Sequence, residues 1–260
     1  MIRHFLSLMA LIAISLHAQA APARVAILGD SITHDGRWAT RVEAALRGSP
    51  EFAKAKIVNF GLGSETVSGL SEPNHASGKF PRPCLHERLD RILDAFKPSL
   101  VLACYGMNDG IYLPLDETRL KAYRDGIVKL KAAVEKQGGK IIFISPPLHN
   151  ADKPADDPNR YDAVLDACGD WLVSRRAEGW QVIDIRPDLK QAVAVEKSRN
   201  PQFIYAKDNI HPGEDGHRFI ADSIIRQLWP ILKLPGHPSF RTTTPSPPSA
   251  AAAICSNSPG

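Results

Sequence analysis

Three places in this 260-residue chain hold residues whose types and spacing could do chemistry. The first is "RVAILGDSITHDG", where an apolar run from Val25 to Leu28 is broken abruptly by Gly29, Asp30 and Ser31. Turn chemistry explains such a corner, since Gly, Asp and Ser are ordinary turn formers. A hydroxyl held up at the end of a strand as a nucleophile explains it equally. A serine nucleophile needs a base to take its proton, an acid to orient that base and donors for the oxyanion. Of the nine histidines, His4 and His17 fall in the first twenty residues and His237 in the C-terminal tail. His211 stands in "DNIHPG" with Asp208 three residues before it, so one loop offers both a carboxylate and an imidazole. Oxyanion donors are available from the backbone N–H of Ser31, a backbone N–H within Gly61 to Ser64, and the side-chain amide of Asn108. For Asn108 the plainer reading is an Asx-turn or a helix cap.

The elements that must position these residues are legible from periodicity. Short apolar runs, "RVAIL", "KIVNF", "LVLACY", "KIIFIS" and "WQVIDI", alternate with amphipathic stretches at 37–47, about 86–96, 116–137, 159–177 and 213–229. Continuous apolar strands separated by helices indicate a parallel sheet covered on both faces. The expectation is an α/β fold, a three-layer α/β/α sandwich of flavodoxin-like type with a five-stranded parallel sheet, over residues 24–234. Ligands in such sheets bind beyond the carboxyl ends of the strands. There the chain places Gly29-Asp30-Ser31, "GLGSET", "YGMNDG" and "SPPLHN", with "DNIHPGEDGH" ahead of the last helix. The long loop "NHASGKFPRPCLHERLD" belongs to the same rim, and Arg82 and Tyr112 are candidate substrate contacts, with a solvated surface as the alternative for each. His217 reads as a packing or capping residue, His34 and His149 as rim residues, and Asp30 as a partner for neighbouring backbone.

Bulk properties narrow the function. A formal charge of +4, with acidic and basic residues interspersed, gives no basic stripe, so no nucleic-acid partner is expected. Arg3 and His4 precede "FLSLMALIAISL" and Ala18-Gln19-Ala20, the pattern of a signal peptide over residues 1–20, which implies a periplasmic or secreted protein. No later stretch is apolar enough for a membrane span. Cys84, Cys104, Cys168 and Cys255 form no C-x-x-C pair, so no metal site is expected. Export permits a disulfide, with Cys84 and Cys168 as conceivable partners, whereas Cys104 reads as a buried small hydrophobe. Residues 236–260, rich in Pro, Ser, Thr and Ala, read as a disordered tail.

Taken in order, "GDSIT" (29–33), "NFGLGSETVSGL" (59–70), "GMND" (106–109) and "DNIH" (208–211) resemble the blocks of the SGNH hydrolase family, the GDSL-type esterases and lipases. The resemblance implies a serine hydrolase acting on carboxylic esters without a cofactor. By position it makes Ser31 the nucleophile, His211 the base, Asp208 its orienting acid and Asn108 an oxyanion donor. Block two departs from the family's G-x-S-G-D-T, reading Gly61-Leu62-Gly63-Ser64-Glu65-Thr66. The family's glycine falls on Ser64 and Gly63 is displaced by one, so either residue could supply the N–H. The expected substrate is a short-chain acyl ester, an O-acetyl group on a carbohydrate. Lysophospholipase or thioesterase activity, a metal-dependent phosphoesterase and a carbohydrate-binding module on a decayed scaffold are the competing readings. Oligomeric state is left open.

Overall fold

A computed structural model describes residues 21–149 and 161–236 of the chain. The expected leader and all but the first residue of the expected tail, Cys255 included, lie outside the described residues.

Five strands, β1 (Arg24–Gly29), β2 (Lys56–Asn59), β3 (Leu100–Cys104), β4 (Lys140–Ile144) and β5 (Gln181–Ile183), form one sheet in the order β2-β1-β3-β4-β5. Every pairing is parallel. Central β3 is buried at all five positions, as a strand covered on both faces must be, which is why its sequence shows no alternation. The order is flavodoxin-like, and the direction of winding reverses between β1 and β3. Gly29 lies opposite Cys104 in the ladder, so the chain leaves β1 and β3 side by side at the same rim.

The helices are α1 (Ser31–His34), α2 (Arg37–Arg47), α3 (Leu89–Phe96), α4 (Glu117–Lys136), α5 (Asp162–Ser174), α6 (Arg186–Arg199) and α7 (Glu214–Leu232). α2 and α6 both pack on α7, while α4 packs with both α3 and α5, which makes the two helical layers. Five of the seven match the amphipathic stretches in the sequence. α6 does not, because only Arg186, Leu189 and Val193 are buried along its length and the pattern lacks a stripe. Its start is set by Pro187 in the first turn and by Arg186, whose guanidinium reaches the Pro147 carbonyl at 2.8 Å and Asp162 at 2.9 Å. Cys84 and Cys168, the conceivable disulfide partners, are not bonded to each other. Both are free thiols, Cys168 buried on α5 and Cys84 partly buried on the rim loop, while Cys104 is buried as expected.

The corner after β1 is tight. A Cβ on Gly29 would sit 2.1 Å from Thr33 Oγ1 and 2.7 Å from the Cys104 carbonyl, so only glycine fits. Asp30 then caps the single turn of α1, its carboxylate accepting the Ile32 N–H at 3.0 Å. Asp30 is buried beside the nucleophile candidate, and burial pushes its carboxyl up from 3.8 to about 7, against the pull of the Ile32 N–H and with help from the charge of Asp109. Asp109 is itself buried and raised to about 6, again by burial first, although the N–H groups of Ser68 and Val67 oppose the rise.

A carboxyl whose folded value lies above its unfolded one costs stability as pH rises between the two. Asp30 should therefore destabilise the fold progressively from about pH 4 to about pH 7. Asp30→Asn keeps the cap but cannot ionise. Its Tm relative to wild type should climb by several degrees across that window and level off above it, in thermal melts at a series of pH values. A difference that does not change with pH would refute the assignment.

Candidate active site

The loop before α7 builds one half of the site from its own backbone. Asp208 Oδ1 accepts the N–H groups of Ile210 at 3.0 Å and His211 at 2.7 Å, which curls the D-x-x-H segment around the carboxylate. Asn209, at φ 68°, supplies the left-handed residue that this curl needs. Asp208 Oδ2 then lies 2.6 Å from His211 Nδ1, and His211 Nε2 lies 2.8 Å from Ser31 Oγ. Burial alone would raise the Asp208 carboxyl, but the hydrogen bonds from the His211 ring and the loop backbone outweigh it and hold the group at about 2. Asp208 therefore stays ionised at neutral pH. With that charge against Nδ1, the neutral imidazole carries its proton there and turns the Nε2 lone pair toward the Ser31 hydroxyl. The side chains of His211 and Asp208 are about half exposed, at 47% and 53%, so the site opens directly to solvent.

Block two continues the β1 ladder past the end of β2, with the Phe60 N–H on the Ile27 carbonyl and the Leu62 N–H on the Gly29 carbonyl. Gly61 lies against α1 so closely that a Cβ would fall 2.4 Å from the His34 nitrogen. Asn59 and His34 clamp the same contact, Asn59 Nδ2 donating to the Thr33 carbonyl at 2.7 Å and His34 Nδ1 lying 3.1 Å from the Gly61 carbonyl. Leu62 to Glu65 then form a turn closed by the Glu65 N–H on the Leu62 carbonyl at 3.2 Å. Ser64 takes its third position at φ 63°, whereas Gly63 is not left-handed. The position where the family pattern carries glycine is thus the one whose backbone favours glycine, and here a serine occupies it. Among the described residues, neither the Gly63 nor the Ser64 N–H has an acceptor.

Block three brings Asn108 to the same place. It is buried under the rim rather than extended over it, with Nδ2 donating to the Glu65 carbonyl at 3.1 Å and Oδ1 accepting the Tyr112 hydroxyl at 2.9 Å. Beneath lies a charge cluster that sequence reasoning passed over. Fully buried Glu65 is held by Arg88 at 2.5 and 2.7 Å and by the Tyr105 hydroxyl at 2.6 Å, and Arg88 also reaches the Phe60 carbonyl at 2.7 Å. The available signal was a glutamate inside an otherwise small and neutral block.

Of the remaining candidates, Arg82 is not a solvated surface residue. It is buried, bonded to both oxygens of Glu72 at 2.6 and 2.7 Å, and its guanidinium lies 5.3 Å from the centre of the Tyr112 ring. Tyr112 is partly buried among His149, Tyr161 and Arg82. His217 packs inside α7 with Nε2 3.4 Å from Asp35, and burial lowers it to about 4 in spite of that carboxylate.

A hydroxyl, an imidazole and a carboxylate in hydrogen-bonded series, beside unspent N–H groups, can generate an alkoxide and stabilise an oxyanion. Known proteins give this geometry its context. By overall fold the chain is similar to an acetylxylan esterase from Geobacillus stearothermophilus, at 21% identity and a TM-score of 0.61 over 79% of this chain and 94% of that one. It is similar also to an alpha/beta hydrolase enzyme from the metagenome of Lake Arreo, at 22% identity and a TM-score of 0.60 over 80% and 96% of the two chains. A third similar structure is a gut microbial diltiazem-metabolizing enzyme, at 18% identity and a TM-score of 0.62 over 79% of this chain; only 46% of that longer protein is matched. No curated protein matches the chain. The family model described as GDSL-like Lipase/Acylhydrolase matches residues 27–219, a span that contains all four blocks, so the chain belongs to that family and is a hydrolase of carboxylic esters.

Proposed function

We propose that the protein is a serine esterase that forms an acyl-enzyme on Ser31. The observation that carries this reading is the unbroken series Asp208 Oδ2, His211 Nδ1, His211 Nε2, Ser31 Oγ at 2.6 and 2.8 Å. Ser31 Oγ attacks the ester carbonyl while His211 Nε2 takes its proton, and Asp208 balances the charge on the imidazolium. The developing oxyanion is met by the Ser31 N–H, by the Gly63 or Ser64 N–H and by the second amide hydrogen of Asn108 Nδ2, the first being spent on Glu65. Collapse of the intermediate expels the alcohol, protonated by His211. Water then enters, gives its proton to His211 and releases the acid and the free serine.

The substrate is a short acyl ester on a bulky polar alcohol, an O-acetyl group on a carbohydrate. An open site with a half-exposed histidine suits a large alcohol in solvent, whereas a long acyl chain needs a continuous apolar trough. The acetylxylan esterase of similar fold and an export signal in residues 1–20, which would carry the enzyme to extracytoplasmic glycans, support the same reading.

Ser31→Ala and His211→Ala should each lower kcat on p-nitrophenyl acetate by at least about 10³-fold with an unchanged circular dichroism spectrum, and Asp208→Asn by a similar factor. An organophosphonate should label Ser31, and exhaustive EDTA dialysis should leave activity intact. Wild-type turnover in Ser31→Ala would sink the mechanism, and activity lost to EDTA and restored by a divalent ion would favour the phosphoesterase.

Across p-nitrophenyl esters, kcat/KM should fall at least about tenfold from acetate to butanoate and further to octanoate, because each methylene that a small pocket excludes costs about 1–3 kcal/mol. Faster turnover of octanoate would make the enzyme a lysophospholipase or thioesterase instead.

A further inference from the structure

The oxyanion amide of Asn108 has a partner that the reaction scheme leaves without a role. Tyr112 follows it by one turn of chain and reaches back, donating its hydroxyl to Asn108 Oδ1 at 2.9 Å. The backbone that allows this is unusual. Ile111 and Tyr112 are consecutive non-glycine residues in the left-handed region, at φ 50° and 56°, and for a β-branched residue such as isoleucine that is a true outlier. Left-handed backbone is unfavourable for residues that carry a Cβ and persists only where the surroundings impose it. They do so from several directions. The Tyr112 ring stacks 5.0 Å from Tyr161 and 5.7 Å from His149, and on Arg82 at 5.3 Å, while Glu72 holds that guanidinium from behind. Arg82 also reaches the Ser64 carbonyl at 3.4 Å, so one brace touches both oxyanion segments. Burial pushes the Tyr112 hydroxyl well above its ordinary value, which keeps it a donor.

We infer that Tyr112 is a positioning residue for the oxyanion hole rather than a substrate contact. Its hydroxyl fixes the carbonyl end of the Asn108 amide and the Glu65 carbonyl fixes one amide hydrogen, which leaves the remaining hydrogen for the oxyanion. A hydrogen bond to the amide oxygen also polarises the amide, so the free N–H donates more strongly to a developing negative charge. This rests on Asn108 being an oxyanion donor, as proposed above.

The test is a double-mutant cycle on kcat and KM for p-nitrophenyl acetate. Tyr112→Phe removes only the hydroxyl and leaves the ring on Arg82. It should lower kcat about tenfold with KM unchanged within a factor of about two, less than the 10²–10³-fold lost with a whole oxyanion donor. Asn108→Ala should lower kcat by about 10²-fold or more. In the Asn108→Ala background Tyr112→Phe should then change kcat by no more than about twofold, because its only route of action is gone. Equal effects of Tyr112→Phe in both backgrounds, or a raised KM at constant kcat, would overturn the positioning role while Asn108 keeps its own. Wild-type kcat in Asn108→Ala would overturn both.

Discussion

The parallel pairing of β1 with β3, with Gly29 set opposite Cys104, is the constraint from which the site follows. Ser31 leaves the end of one strand and Asn108 follows the end of the other, so two parts of the candidate machinery are held by the backbone hydrogen bonds of the sheet itself. The third part has farther to come. His211 follows β5 at one edge of the sheet, and the chain carries it back to the centre by packing α7 on α2, the first burying Ile220, Ile224 and Leu228 and the second Trp38, Val42 and Leu46. Polar contacts finish the docking: Arg41 on Glu214 at 2.6 Å, Arg37 on the Pro212 carbonyl at 3.3 Å, and buried His217 against Asp35. The exposed Arg41–Glu214 pair contributes little energy, typically under about 1 kcal/mol, so the apolar face supplies most of the stability.

Three of the buried carboxylates, Glu65, Asp30 and Asp109, belong to the blocks that build the site, and the fold treats them differently. Glu65 has Arg88 and the Tyr105 hydroxyl, so its charge is balanced and its backbone is a rigid seat for Asn108. Asp30 and Asp109 are given N–H groups instead of a cation, which is a weaker compensation, and both are raised by burial. Their positions explain why the arrangement persists. Asp30 caps the turn that presents Ser31, and Asp109 draws the Val67 and Ser68 N–H groups toward block three. The corner is therefore held at a cost in stability that builds from about pH 4 and is complete above about pH 7.

The strands were legible because a parallel sheet covered on both faces demands uninterrupted apolar runs, and five such runs have no other economical arrangement. Ser31, Asp208 and His211 were legible as candidates because few residue types can do the chemistry and because the D-x-x-H spacing is local, so the loop backbone itself can orient the pair. α6 escaped because a helix anchored by one arginine and two apolar residues has no periodic stripe to find. The fates of Cys84 and Cys168 are fixed by where a rim loop and α5 lie, which spacing along the chain does not encode.

By itself, then, the sequence determined the layer architecture, the rim on which chemistry could occur and, as candidates, the hydroxyl, imidazole and carboxylate that the structure joins in one hydrogen-bonded series. Only the tertiary structure decided that Ser64 rather than Gly63 takes the left-handed turn position, that Arg82 is spent on Glu72, that Arg88 balances Glu65, and that Tyr112 holds the Asn108 amide. The division has a physical cause. Periodicity and local spacing follow from burial and from hydrogen bonds within a few residues. Partners such as Glu65 and Arg88, or Ser31 and His211, are joined only by the folding of distant segments onto a common rim.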